Sequence, residues 1–115
     1  MQLGTAQLRN VTDRHRQFYR RRADHLGAIT PEPLYLDERL RELPTQMGIA
    51  SEEHVPGLRD LTEAIHAGGA KAIAHLNHPG RMANPGIEGT VHLSASATTC
   101  ERTGVTPERM SNGDI

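Results

Sequence analysis

A double glycine, Gly68-Gly69, separates a stretch with one apolar helical face from a short apolar run that ends at Pro79-Gly80. Glycine tolerates the left-handed conformation that closes a helix, so the pair reads as a helix stop. Before it, Ser51 can cap, Pro56 suits a first turn where its missing N–H costs nothing, and Leu58, Leu61 and Ile65 share a face. After it, Ala70 to Leu76 reads as a buried strand. The same order occurs upstream. Thr12 and Asp13 can cap a helix over Val11 to Ala23, with Tyr19, Ala23 and Leu26 at i, i+4 and i+7. Leu26 to Thr30 then reads as a strand stopped by Pro31 and Pro33, and Met1 to Thr5 as the tail of a strand whose beginning is missing. The order β, α, β, α, β implies parallel strands joined by crossover helices. Residues 31–50 form an excursion punctuated by Pro31, Pro33, Pro44 and Gly48, with a helical turn expected over Asp37 to Leu43. From Asn77 onward a long loop is expected, which in a compact domain implies a functional or disordered segment.

Composition narrows the function classes. Thirteen basic and 14 acidic residues leave a formal net charge of −1. That balance gives no broad reason to expect nucleic acid or a membrane surface as partner. The run Arg20-Arg21-Arg22 reads as a solvated helix face. One cysteine, Cys100, cannot make an internal disulfide, which points to a reducing compartment and a cytoplasmic protein. No stretch approaches the ~20 apolar residues that span a bilayer. With 3% aromatic residues the core of a 115-residue chain is modest.

Three stretches resemble the old yellow enzyme family, in the branch of the 2,4-dienoyl-CoA reductases and related NADH:flavin oxidoreductases. Val11-Thr12-Asp13-Arg14-His15 through Tyr19 and Arg22-Ala23 is similar to the family's first barrel helix. Gly27-Ala28-Ile29-Thr30-Pro31-Glu32-Pro33 is similar to its second strand. His66-Ala67-Gly68-Gly69 followed by His75-Leu76-Asn77-His78-Pro79-Gly80-Arg81 resembles a helix end, a strand and the pattern Gln-Leu-x-His-x-Gly-Arg. The resemblance implies an α/β fold: the first two to three units of a (β/α)8 TIM barrel plus a long loop, an incomplete N-terminal segment over residues 1–115. A whole barrel needs about 250 residues. It implies FMN over the carboxyl ends of the strands, NAD(P)H as reductant, and an alkene or other small-molecule acceptor. It implies flavin contacts from Leu3, Gly4 and Thr5 at the first strand's end, from Pro33, and from His75, which stands where the family has Gln. An imidazole offers one donor or acceptor per nitrogen, whereas an amide offers both kinds. The family's substrate-binding His pair, active-site Tyr and phosphate loops fall beyond residue 115, as does the cysteine cluster that holds an iron–sulfur centre in larger relatives. A homo-oligomer is expected at full length.

Other readings compete at single residues. His75 and His78 could be half a metal site, but no Cys pair or carboxylate stands at ligand spacing, so no metal is expected. His78 could equally tie the loop to the barrel. Arg81 is expected to pair with a carboxylate such as Glu32, Gly80 and Gly89 to serve turns, and Cys100 to be incidental. Alternation along the last strand puts Ile73 and His75 on one side, Ala74 and Leu76 on the other. The chain is read as an enzyme fragment, inactive alone, rather than a small βαβαβ scaffold or interaction protein, because Thr106 to Ser111 looks like the approach to a helix that does not follow.

Overall fold

The first helix, α1, runs Asp13–Ala23 and presents Tyr19 and Ala23 inward. The computed structural model describes residues 10–115, so the expected strand at Met1 to Thr5 lies outside the described residues. Thr12 precedes the helix in extended conformation. Its backbone N–H donates to Nδ1 of His15 at 2.9 Å, and its hydroxyl lies 3.0 Å from the same nitrogen. Histidine here takes the place that Glu or Gln holds in the usual capping box. Leu26 does not continue the apolar face: α1 ends at Ala23 and Leu26 is exposed.

The second helix, α2, runs Val55–Ala67 after a 3-10 turn at Glu52–His54. Pro56 stands in its first turn, Leu61 and Ile65 are buried, and Leu58 packs against them. Gly69 ends it at φ +94°. Gly68 lets the two helices touch, since a Cβ there would collide with that of Ala23.

Both expected strands are present but broken. β1 (Ala28–Ile29) pairs in parallel with β3 (Lys71–Ala72), and β2 (Leu34–Tyr35) with β4 (Leu76–Asn77). The run from Ala70 to Leu76 is therefore not one strand, and the first strand resumes beyond Pro33. Four residues, 30–33, separate the two pairs on one side and three, 73–75, on the other. The extra residue makes a β-bulge. Pro31 and Pro33 lack the N–H that a ladder would need, so the bulge falls where the sequence cannot pair. The core is Tyr19, Ala23, Ile29, Leu34, Met47, Leu61, Ile65 and Ala70, between the helices and this strand pair.

The excursion and the long loop, which follow the carboxyl ends of the two strands, are bound to each other. Asn84 N–H donates to the Arg41 carbonyl at 2.8 Å and Val91 N–H to that of Arg39 at 3.0 Å. Asp37 to Leu43 forms a tight turn, closed by Leu40 N–H on the Asp37 carbonyl, and no helix. Glu108–Arg109 is a strand, β6, parallel to β5 (Leu93–Ser94), where the approach to a helix was expected. Gly80 and Gly89 have φ of +59° and +81°, as turn residues do.

Among the described residues, β3 and β4 each pair on one side only, and Ile73 and Leu76 are more than half exposed. A parallel sheet is normally covered on both faces, and open edges recruit other chains. Residues 1–115 alone are therefore expected to fold poorly or to self-associate. Light scattering that finds a monomer with a single cooperative melt would contradict this.

Candidate functional site

The bulge brings two of the expected flavin residues side by side. Leu34 N–H donates to the carbonyl of His75 at 2.8 Å, so Pro33 and His75 stand side by side just before β2 and β4, at the break between the two strand pairs. Pro33 is half-buried. His75 is exposed, as are Ile73, Ala74 and Leu76, so the expected division of this run into an inner and an outer side does not hold. The three-residue break at 73–75 removes the alternation that a continuous strand would impose. Leu3, Gly4 and Thr5 lie outside the described residues.

Glu32, at the crest of the bulge, does not pair with Arg81. The Arg81 guanidinium donates instead to the Thr99 carbonyl at 2.9 Å, within the long loop. Glu32 is held by α1: the Tyr19 hydroxyl donates to its Oε1 at 3.1 Å and accepts its backbone N–H at 3.0 Å. His15 Nε2 lies 3.9 Å from the same carboxylate oxygen. Burial holds the His15 imidazole below its ordinary pKa, Glu32 pulls it up, and Arg16 and Arg14 push it further down. Burial likewise raises the Tyr19 phenol and keeps it a donor.

Because His15 Nδ1 accepts from Thr12, its neutral form belongs to the folded state. A depressed folded pKa gives stability that is present above the unfolded value of about 6.5 and is lost as pH falls through it toward the folded value. The stability of the folded protein should fall over that window, and His15→Gln should remove this increment. Unchanged pH dependence in urea unfolding of the variant would contradict the assignment.

A second network was not read from the sequence. Tyr35 is fully buried; its hydroxyl donates to Glu38 at 2.8 Å and lies 3.1 Å from Nε2 of His54. His54 Nδ1 accepts from the backbone N–H groups of Ala50 and Ser51, both at 3.2 Å. The imidazole thus carries its proton on Nε2 and donates to Tyr35. The visible signal was a histidine three residues after Ser51, in the same relation as His15 to Thr12. His78 accepts the Gly80 N–H through Nδ1, a contact inside the loop. Cys100 is buried, its sulfur 3.6 Å from that of Met82. Among the described residues no three His, Cys, Asp or Glu side chains stand close enough to hold a metal ion, and no helix is long and apolar enough to cross a membrane.

The His75 ring makes no hydrogen bond among the described residues, and the side-chain nitrogen of Asn77, two residues on, is buried without a partner. The exposed imidazole of His75 has hydrogen-bonding capacity, and the half-buried Pro33 next to it offers a packing face.

Comparison with known proteins agrees with this architecture. A family model described as NADH:flavin oxidoreductase / NADH oxidase matches residues 4–115. The chain is 35% identical over 105 residues to an NADH:fumarate oxidoreductase of Klebsiella pneumoniae, covering 90% of this chain and 11% of that protein. Its fold superposes on 2-naphthoyl-CoA reductase bound to 2-naphthoyl-CoA with a TM-score of 0.80 at 27% identity, covering 92% of this chain and 18% of the other. It superposes on the old yellow enzyme of Pichia sp. AKU4542 with a TM-score of 0.77 at 21% identity, covering 94% and 32%. The chain thus spans about a third or less of each, and its two helices and bulged strand pair correspond to part of their barrel. With the match running over almost its whole length, the chain belongs to the NADH:flavin oxidoreductase / NADH oxidase family.

Proposed function

We propose that residues 1–115 are the N-terminal part of a flavin-dependent oxidoreductase barrel and supply one side of its FMN site. The carrying observation is the break between the two strand pairs, where the Leu34–His75 hydrogen bond sets Pro33 beside His75. Pro33 packs near the ring system, and the His75 imidazole hydrogen-bonds its pyrimidine edge. By the family resemblance, Leu3, Gly4 and Thr5 complete the contact. Bound FMN supplies hydride transfer from NAD(P)H to an activated alkene or similar acceptor, and the protein positions and tunes it. The proton donor comes from the rest of the barrel. The match to a reductase of an aryl-CoA thioester supports the branch that includes the 2,4-dienoyl-CoA reductases.

The test is reduction. Residues 1–115 are joined in frame to the remaining barrel of a family member and loaded with FMN. Anaerobic NADH or NADPH should bleach the yellow absorbance, and an activated alkene should restore it. A flavin that neither nucleotide reduces would overturn the reading.

A further inference from the structure

We propose that Tyr19 and Glu32 are positioning residues for the flavin: a clasp from α1 that sets the bulge and so the placement of Pro33. The proposal rests on the FMN reading given above.

The bulge has almost no ladder bonds to define it. Pro31 and Pro33 have no N–H, which leaves that of Glu32 between them as the bulge crest's one backbone donor. That N–H goes to the Tyr19 hydroxyl at 3.0 Å, away from the sheet. The same hydroxyl donates back to the Glu32 carboxylate at 3.1 Å. One phenol therefore fixes both the backbone and the side chain of the bulge crest. The ring beneath it is buried in the core between α1 and the strands, so the hydroxyl has little freedom to follow a displaced bulge. The residue after Glu32 is Pro33, and the next, Leu34, carries the bond to His75. An error in the crest passes in one residue to the flavin-facing proline and in two to the strand that presents the imidazole. Sites that act on a bound group lose function when their supporting contacts let it shift by even an ångström.

The experiment compares three forms of the FMN-loaded completed barrel: unsubstituted, Tyr19→Phe and Leu61→Ala. Tyr19→Phe keeps the buried ring and removes only the two hydrogen bonds. Leu61→Ala opens a cavity in the same core, takes part in neither of the Tyr19–Glu32 hydrogen bonds, and serves as a destabilised control. Tyr19→Phe should weaken FMN binding by about fivefold or more and displace the visible flavin band. Leu61→Ala should lower Tm without moving the band or, below its melting range, the affinity. Glu32→Gln, which keeps the backbone N–H bond, should fall between the unsubstituted protein and Tyr19→Phe. Unchanged affinity and spectrum in Tyr19→Phe would overturn the clasp, as would equal changes in Leu61→Ala. A folded, unsubstituted barrel that binds no FMN would instead overturn the FMN reading itself, and the clasp with it.

Discussion

Gly48→Ala is expected to destabilise a completed barrel containing this chain by about 3 kcal/mol, the upper end for overpacking a filled core. A Cβ at position 48 would stand 2.6 Å from Cε2 and 2.7 Å from the hydroxyl oxygen of Tyr35. The phenol ring cannot withdraw. Its residue is fixed on both backbone sides, by Tyr35 N–H to the Met47 carbonyl at 3.0 Å and Ile49 N–H to the Tyr35 carbonyl at 2.9 Å. Its hydroxyl is held by Glu38 and His54. Either the ring leaves and those hydrogen bonds break, or the excursion moves off the strand. Urea unfolding should show the loss as a lower midpoint at unchanged slope. A loss under about 0.5 kcal/mol, the size of an ordinary surface change, would show that the excursion is not packed on Tyr35 in this way.

His75→Ala should weaken FMN binding to the completed barrel by about tenfold, the size of one hydrogen bond of about 1.4 kcal/mol. The imidazole is exposed on the open rim and makes no hydrogen bond among the described residues, so the substitution takes nothing from the fold. Its backbone is pinned to Leu34, which fixes where the ring begins. His75→Gln, which offers an amide's donor and acceptor in the same place, should bind at least as well as the unsubstituted protein. Equal affinity for His75→Ala and the unsubstituted form would sink the assignment of His75 to the flavin.

Much of the fold was legible because its signals are local. Caps, an apolar face and a glycine stop define α2 from adjacent residues, and Leu61 and Ile65 are buried as the 3.6-residue period requires. The strand-to-strand register is not local. That Leu34 pairs with Leu76 while Ala28 pairs with Lys71 depends on a bulge, and two prolines mark its place without fixing its direction. The same limit hid the partner of Glu32. Charge alone favoured Arg81, but the packing of α1 on the strands brings the Tyr19 hydroxyl to it. The Tyr35–Glu38–His54 network joins a strand end, a turn and a helix start, and no sequence period connects them. At the candidate site, Pro33 and His75 are adjacent, a relation that follows from the parallel pairing of Leu34 with Leu76 and that no local signal in the sequence gives.

Whether this segment builds part of an FMN site is measured most directly by a flavin titration of the completed barrel. Saturable quenching of flavin fluorescence, with yellow absorbance retained on the protein through gel filtration, is the result predicted. A folded barrel that leaves flavin fluorescence unquenched and elutes colourless would contradict it.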